Sequence, residues 1–352
     1  MCSASAPRPS GLLENMMDWF ETLTGFRESG YAETRERLEV KEGRLHSRVN
    51  GASYAVGQLE LVSLQTLRDR MKTGEGPSGQ LKVSIVKGDV RRMHQSADNA
   101  GALFQVASQF NLLEMVSPSV SPEQGVTRYQ GDHTQGPACA IAAGAATIYR
   151  NYFVPLADGH GQTERRQLDG LADVGAALSL ALARPVADLW TMRNGYALAT
   201  QGGLEAISQH LTTLTPDQLD ELRGWLRIGV QSDAEVTEAA GPNRPLISQA
   251  FCSALPVAYS RVPADYWASF AQFVLEAAYE ATLRVAVLNA RRGASNVVFL
   301  TLLGGGAFGN QSSWIYAGMQ RALRLMRPYD LDVRLVSYGT PSSDMLTTVQ
   351  HI

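Results

Sequence analysis

The pattern of hydrophobic and polar positions changes its period several times along this chain of 352 residues. Residues 12–26 repeat apolar side chains at helical spacing, which predicts a first helix. Residues 37–62 alternate instead, and the turn pairs Glu42-Gly43 and Asn50-Gly51 divide them into a small antiparallel meander. A polar, glycine-containing stretch at residues 72–80 then predicts a linker to the remainder of the chain.

Beyond the linker, short apolar runs alternate with longer amphipathic ones. Runs with the length and composition of buried strands lie at residues 81–86, 101–108, 248–259, 296–303 and 332–338. Helical patterns lie at residues 137–153, 264–290 and 312–326, and residues 155–245 are predicted to be mostly helical. Strands that alternate with helices indicate an α/β fold, with a mainly parallel sheet that helices cover on both faces.

Composition narrows the classes of function. The formal net charge is -3 and the basic residues are scattered, so the chain lacks the positive field that nucleic acids require. Cys2, Cys139 and Cys252 are widely spaced, which argues against a disulfide scaffold and structural zinc. The N-terminus has no signal-peptide pattern, and the longest apolar stretch, residues 138–149, is too short to span a bilayer. We therefore expect no membrane association and a cytoplasmic location, with the nucleus as the alternative.

The strongest chemical signal is a glycine-rich turn between a predicted strand and a predicted helix. It comprises Gly304, Gly305, Gly306, Ala307, Phe308, Gly309 and Asn310. Glycines let the backbone approach a phosphate closely, and free N–H groups at a helix start attract anions. The turn therefore predicts a site for a phosphate-bearing nucleotide. The alternative is a turn that needs glycine only for its shape.

The same turn fits the dinucleotide pattern G-x-G-x-x-G, so an NAD-dependent enzyme is a second interpretation. In a Rossmann domain that pattern opens the fold, whereas only 43 residues follow Gly309 in this chain. A P-loop is excluded because Asn310-Gln311 stands where Lys and Ser or Thr are required.

Four segments, in this order, resemble a macrodomain, the ADP-ribose-binding module. They are residues 83–90, which contain the step Gly88-Asp89-Val90, and residues 102–111, 136–140 and 303–310. The resemblance implies a three-layer sandwich with a mixed, mainly parallel sheet. In that arrangement residues 1–78 are an N-terminal helical and β-meander extension. Residues 79–345 are the core, with a helical insertion at about 155–245.

The resemblance also implies where ADP-ribose would bind, with no cofactor indicated. Asp89 and Val90 would hold the adenine, because a carboxylate beside a backbone N–H can accept from and donate to that ring edge. Tyr338 could stack on the adenine or be an ordinary edge aromatic. Residues 304–310 would wrap the diphosphate.

The ribose end departs from the family pattern. Residues 106–109 read Val-Ala-Ser-Gln, where the family usually has Asn-Ala-Ala-Asn. Gln109 or Asn111 would therefore supply the amide that faces the distal ribose. Gly136 would belong to the altered first glycine loop, which opens the next helix.

Three carboxylates, those of Glu114, Glu123 and Asp132, occupy the segment that precedes Gly136. Carboxylates beside a sugar–phosphate site suit glycosidic hydrolysis, in which one activates water and another protonates the leaving group. The pattern is similar to divergent macrodomain hydrolases that remove ADP-ribose from arginine, one of which acts on ADP-ribosylated ubiquitin. Asp132 is the first choice because it lies nearest the predicted helix start. The alternative is a solvated loop, since Asp and Glu are mostly exposed.

We therefore expect an ADP-ribosylhydrolase that acts on a modified protein, with arginine as the linkage and a ubiquitin-like protein as one candidate substrate. A non-catalytic reader of ADP-ribose is the alternative from another class, and it should tolerate neutralisation of the acidic segment. His133 is a general-base candidate or an incidental loop residue. The spacing of Glu123, Asp132 and His133 fits no recognised set of metal ligands. The oligomeric state is not predicted by the sequence.

Overall fold

The computed structural model describes residues 17–73 and 78–351. Its strands are β1 Leu38–Lys41, β2 Arg44–Ser47, β3 Ser53–Ala55, β4 Gln58–Ser63, β5 Lys82–Lys87, β6 Leu103–Ala107, β7 Pro155–Leu156, β8 Gly159–His160, β9 Trp190–Arg193, β10 Tyr196–Ala199, β11 Arg227–Glu235, β12 Leu246–Cys252, β13 Val297–Leu300 and β14 Asp332–Ser337. Its α-helices are α1 Trp19–Thr24, α2 Tyr31–Glu36, α3 Leu64–Lys72, α4 Val90–Gln95, α5 Gln135–Ala142, α6 Gly144–Tyr152, α7 Ala172–Leu182, α8 Val186–Leu189, α9 Gln201–Thr213, α10 Pro216–Gly224, α11 Ala264–Arg291, α12 Ser312–Met326 and α13 Ser343–Gln350.

One large sheet organises the molecule. Its seven strands have the order β4-β11-β12-β6-β13-β14-β5. From β12 to β5 every neighbouring pair is parallel, whereas β11 pairs antiparallel with both β4 and β12. The sheet is therefore mixed and mainly parallel, as the sequence predicts.

Helices cover both faces of this sheet. Successive side chains of β6 point to opposite faces, so Leu103 packs in the cluster that contains α11 and α12. Phe104 and Val106 pack instead with residues of α4, α5 and α6. The long helix α11 contacts the sheet along most of its length and buries apolar side chains on nearly every turn. These three layers confirm the α/β sandwich. Among the described residues, no helix has the length and apolar character needed to cross a membrane.

The N-terminal region joins the sheet more closely than expected. Strands β1, β2 and β3 form the predicted antiparallel meander. The next strand, β4, pairs with β11 and forms one edge of the large sheet. Helix α1 covers residues 19–24 only, and residues 12–16 of the predicted helix lie outside the described residues. The division at residue 78 stays a prediction.

The segment at 155–245 is helical only in part. It contains α7 to α10, but also the hairpin β9-β10 and the strand β11 in the large sheet. The sequence pattern of β11 is interrupted by Gln231, Ser232 and Asp233, where the pairing with β12 has a bulge. The Gln231 amide is nevertheless fully buried, because Arg150 and the Val56 carbonyl satisfy it. A buried polar residue thus interrupts the apolar pattern by which this strand could have been predicted.

Two further boundaries differ from the predictions. The helix predicted at residues 137–153 is divided into α5 and α6 at Ala143, whose backbone leaves the helical region with ψ 56. There the Gly144 N–H donates to the Thr237 hydroxyl at 2.9 Å, outside the helical ladder. The strand predicted at residues 248–259 ends at Cys252, and the remaining residues form a loop with one 3-10 turn.

A buried ion cluster joins the helices of one face. Glu280 of α11 is fully buried and accepts hydrogen bonds from Arg68 at 2.8 Å, Arg284 at 2.8 Å and Arg321 at 2.6 Å. Burial alone would raise the pKa of the Glu280 carboxyl, but the hydrogen bonds from Arg68 and Arg321 and the charge of Arg284 outweigh burial and lower the pKa to about 2. Glu280 therefore ties α3 and α12 to α11 as a carboxylate.

Glu280→Gln is expected to lower the free energy of unfolding by about 3 kcal/mol at neutral pH, because three partly buried guanidinium groups lose the buried carboxylate that they share. Since the folded pKa lies below the ordinary value of 4.5, this stabilisation is present above that value and is lost as the pH falls toward 2. Urea unfolding at about pH 7 and about pH 3 measures the change, which should be smaller at the lower pH. The exposed pair of Glu60 and Arg70 offers the control Glu60→Gln. Equal stability of Glu280→Gln and wild type at neutral pH would contradict this.

Candidate functional site

Two adjoining depressions lie where the parallel strands end. In open α/β sheets, ligands bind outside the carboxyl ends of the strands. Here the strands β5, β6, β13 and β14 run parallel, so the loops that follow them lie at the same edge of the sheet. The predicted site residues follow these strands in the chain, which is why the fold can gather them at one place.

The first part of the site, the inner cleft, holds about 700 Å³ of open space, and the second part, the outer pocket, holds about 1060 Å³. Volumes of this order are typical of small-molecule sites. The inner cleft is lined by Ala107, Ser108, Gln109, Glu114, Met115, Val116, Asp132, Thr134, Gln135, Gly136, Pro137, Tyr196, Ala254, Tyr259, Thr301, Leu302, Leu303, Gly304, Gly306, Ala307 and Phe308. The second part, the outer pocket, is lined by Gly88, Asp89, Val90, Arg91, Gln130, Asp132, His133, Gln135, Ala138, Ile141, Thr301, Val336 and Tyr338. Asp132, Gln135 and Thr301 border both, so one elongated ligand can occupy the two parts together.

The structure thus places many of the predicted residues along one groove. The residues predicted for adenine, Asp89, Val90 and Tyr338, line the outer pocket. The residues of the glycine turn and of the ribose and acidic segments that line the inner cleft are Gln109, Glu114, Gly136, Gly304, Gly306, Ala307 and Phe308. Asp132 stands between the two groups. Tyr338 is 83% exposed, so its ring is free to pack on a ligand.

The glycine turn presents unpaired backbone donors to the inner cleft. Gly304 has a φ of 74°, and a Cβ on it would lie 2.4 Å from the Ala254 Cβ, so only glycine fits this position. Among the described residues, no acceptor pairs with the backbone N–H groups of Gly306, Ala307 or Phe308. Adjacent free N–H groups next to a helix start form an anion site.

The other residues of the turn face away from the inner cleft and stabilise the conformation of the turn. Asn310 is buried, and its side-chain amide donates to the carbonyls of Leu255 at 2.8 Å and Gly304 at 3.3 Å. Gly309 has a φ of 71° and packs against Ala258. Gly305 bonds through its N–H to the Leu302 carbonyl at 3.0 Å. Gly305, Gly309 and Asn310 therefore close the turn and are not part of the lining.

The start of α5 lies directly on the end of β6. The Gln135 amide accepts from the Ala107 N–H at 2.8 Å and donates to the Gln105 carbonyl at 2.7 Å, as a neighbouring strand would. A Cβ on Gly136 would lie 2.0 Å from the Ala107 carbonyl oxygen and 3.1 Å from Cγ of Glu114. Glycine at position 136 therefore lets the helix start approach both the strand end and Glu114.

Glu114 lies at the floor of the inner cleft with its side chain fully buried. Its carboxylate faces the Arg150 guanidinium at 3.3 Å, and its own N–H donates to the Tyr129 hydroxyl at 3.0 Å. Burial raises the pKa of the Glu114 carboxyl to about 7, although the charge and hydrogen bond of Arg150 oppose the shift. Glu114 can therefore hold or release a proton at neutral pH, which is the property of a general acid or base.

Asp132 occupies the junction of the inner cleft and the outer pocket. It follows the 3-10 turn Thr127–Gly131, and one carboxylate oxygen accepts from the Thr134 N–H at 2.8 Å. This bond orients the side chain just before α5 begins. The second oxygen has no partner among the described residues, so it is free to bind water or a ribose hydroxyl.

An aromatic wall, formed by Tyr196, Tyr259 and Phe308, closes one side of the inner cleft. The three rings contact one another with centroid distances of 5.1, 5.2 and 5.6 Å. Tyr196 and Tyr259 were missed by the sequence analysis, because they lie 63 positions apart in loops and strands with no recognisable motif. Of the described residues that line the inner cleft, none is Lys, Arg or His.

Three predicted residues have other partners. Glu123 does not reach the cleft, since both its carboxylate oxygens accept from the Glu164 N–H, at 2.9 and 3.0 Å. Asn111 is fully buried and bonds to Gln167 and to the Leu113 N–H. Gln109 lines the cleft, but its amide is already bonded to the Met115 backbone and to Tyr196. Neither Gln109 nor Asn111 therefore has a free side-chain amide for the ribose-facing role that the sequence predicts.

Within the described ranges 17–73 and 78–351, no three side chains of the metal-binding types come close enough to hold an ion.

The chain matches no protein-family model, and no curated protein sequence matches it. Solved structures to which it is similar include poly(ADP-ribose) glycohydrolases. The enzyme from Thermomonospora curvata aligns with a TM-score of 0.42 and 13% identity, over 91% of this chain and 96% of that one.

The enzyme from Deinococcus radiodurans, solved in complex with ADP-ribose, aligns with a TM-score of 0.43 and 12% identity, over 92% of this chain and 97% of that one. At these TM-scores the similarity assigns no activity to the present chain.

Proposed function

We propose that this protein hydrolyses the glycosidic bond between ADP-ribose and a modified protein side chain, with arginine as the linkage. One observation supports this most: the outer pocket with Asp89 and Tyr338 adjoins the inner cleft with the glycine turn and Glu114, and Asp132 lies at the junction of the two. The outer pocket can take the adenine of ADP-ribose, and the inner cleft offers free N–H groups for the diphosphate beside carboxylates for the ribose.

In this proposal the outer pocket holds the adenine. One Asp89 oxygen is used by the Arg91 N–H at 2.8 Å, which leaves the other for the adenine amino group. No described acceptor pairs with the Val90 N–H, so it can donate to a ring nitrogen. The diphosphate would then accept from the N–H groups of Gly306, Ala307 and Phe308.

The two carboxylates have complementary roles in the reaction. Asp132 accepts a proton from water as the water oxygen bonds to the anomeric carbon of the distal ribose. The bond from that carbon to the guanidine nitrogen breaks, and its electron pair stays on nitrogen. Glu114, whose pKa of about 7 keeps a large protonated fraction at neutral pH, donates the proton that makes the leaving guanidine a guanidinium.

The lining of the inner cleft favours a cationic leaving group. Asp132 and Glu114 contribute the only ionisable carboxyl groups of the described lining, and no basic side chain accompanies them. The aromatic wall of Tyr196, Tyr259 and Phe308 can attract a guanidinium through the faces of its rings. An ester linkage to Glu or Asp would instead release a carboxylate beside Asp132, where like charges repel.

The proposal is tested by release of ADP-ribose from a panel of substrates. Peptides that carry ADP-ribose on arginine, serine or glutamate are compared with ADP-ribosylated ubiquitin and with ADP-ribose polymer. Release from arginine is expected to be at least about tenfold faster than from serine or glutamate, a preference of about 1.4 kcal/mol. Binding of ADP-ribose without release from any substrate would make the protein a reader. Release from serine, glutamate or polymer alone would overturn the arginine assignment.

A further inference from the structure

The N-terminal region contacts the acidic segment of the site through one carboxylate. Glu28 lies between α1 and α2 and is half-buried. Its two oxygens accept from the Val126 N–H at 2.9 Å and the Thr127 N–H at 2.7 Å. The Tyr152 hydroxyl donates to it at 2.7 Å. Glu28 thus satisfies the free donors at the start of the 3-10 turn Thr127–Gly131.

The neighbouring sequence leaves room for this carboxylate. Gly125 has a φ of 79°, and a Cβ on it would lie 2.3 Å from Oε2 of Glu28. A side chain at position 125 would therefore expel the carboxylate from its place. Glycine at this position is therefore required twice, by its positive φ and by Glu28, which lies almost a hundred residues earlier in the chain.

Trp19 of α1 fixes the same turn at a second point. Its backbone N–H donates to the Gln130 side chain at 3.0 Å, and its indole N–H donates to the Thr127 carbonyl at 3.3 Å. The N-terminal region therefore bonds to the turn at residues 126, 127 and 130. These contacts hold both ends of the turn against α1.

This 3-10 turn positions both carboxylates of the proposed reaction. Asp132 follows its last residue directly. Tyr129, in the middle of the turn, is fully buried, and its hydroxyl accepts from the Glu114 N–H at 3.0 Å. A shift of the turn would therefore move Asp132 and release the backbone of Glu114. The glycine turn and Asp89 instead lie in loops that follow β13 and β5.

We infer that Glu28 is a positioning residue, through which the N-terminal region completes the catalytic end of the groove without touching the substrate. This inference rests on the proposed hydrolase function. It predicts a separation of effects: loss of Glu28 should impair turnover of bound substrate and spare the binding of adenine and diphosphate.

The test compares Glu28→Gln with wild type and with Glu21→Gln, a matched change in α1 at a residue whose side chain, among the described residues, pairs only with Arg27. We measure kcat on an arginine-ADP-ribosylated peptide, Kd for ADP-ribose by calorimetry and the melting temperature. Glu28→Gln keeps the size of the side chain but can accept only one of the two N–H groups. Its kcat should fall about 10- to 100-fold, as expected for a displaced catalytic group, with Kd within about twofold of wild type. Glu21→Gln should change neither.

Glu28→Asp provides a second route, because its shorter carboxylate cannot reach both the Val126 and the Thr127 N–H groups, and it replaces Glu28→Gln if that variant does not fold. The same split between kcat and Kd is expected. Wild-type kcat in the tested variant would overturn the inference, and so would a parallel loss of kcat and ADP-ribose affinity, which indicates a general structural role. A wild-type protein that binds ADP-ribose without releasing it would contradict the proposed function instead.

Discussion

Replacing Asp132 by asparagine is expected to lower kcat for ADP-ribose release by about 10³-fold, the size typical of a lost general base. The change keeps the shape of the side chain and the acceptor for the Thr134 N–H, so the segment before α5 should retain its path. It removes the proton-accepting oxygen that faces the junction of the inner cleft and outer pocket. Binding of ADP-ribose should persist, because the diphosphate and adenine contacts come from other loops.

Single-turnover release from an arginine-ADP-ribosylated peptide, with calorimetric Kd values, separates these two effects. Asp158→Asn is the matched control, since the Asp158 side chain is 74% exposed and, within the part of the chain that the structure describes, pairs with Arg166 alone. Unchanged release by Asp132→Asn would remove Asp132 from the mechanism. A loss of release together with ADP-ribose binding would give Asp132 a role in binding instead.

Glu114→Gln is expected to have the second large effect, a fall in kcat of about 10²- to 10³-fold. Glutamine can still accept from Arg150, so the floor of the cleft keeps its hydrogen bond, but no proton is available for the leaving group. In wild type the active form of Glu114 is protonated. Activity should therefore be highest below the Glu114 pKa of about 7 and decline as the pH rises through it.

The pH dependence of kcat between about pH 5 and pH 9 tests this assignment. Glu114→Gln should lose the alkaline decline along with most of its activity. Thr147→Ser is a control at a neighbour that also contacts Arg150, at 3.1 Å, and keeps its hydroxyl. A decline near pH 7 that persists in Glu114→Gln would assign the titration to another group and contradict the role of Glu114.

Long periodic elements were predictable because their burial repeats at a fixed spacing. The amphipathic stretch at residues 312–326 coincides with α12, and residues 264–290 differ from α11 by one residue. The full extent of strand β11, within a segment predicted to be mostly helical, was not predictable, because Gln231 is a polar residue that is fully buried. Its burial depends on Arg150, 81 positions earlier in the chain, which no local pattern reveals.

The position of a candidate groove was predictable where a residue type determines its own backbone geometry. The glycine turn has to sit at a strand end, and its free N–H groups follow from its backbone. The roles of the three carboxylates were harder to distinguish, since Glu114, Glu123 and Asp132 lie in one segment. Their surroundings differ: apolar neighbours at residues 112–116 bury Glu114, whereas Glu123 lies at the surface beside Glu164. The wall residues Tyr196 and Tyr259 depend on tertiary packing alone.

The most direct test of the account is calorimetric titration of the wild-type protein with ADP-ribose, with NAD as the comparison. ADP-ribose presents the adenine, diphosphate and free distal ribose that the groove is proposed to hold, whereas NAD carries a nicotinamide on the carbon that would be attacked. The account predicts a Kd for ADP-ribose on the order of micromolar, tighter than that for NAD. Absence of ADP-ribose binding, or tighter binding of NAD, would contradict the assignment of the groove.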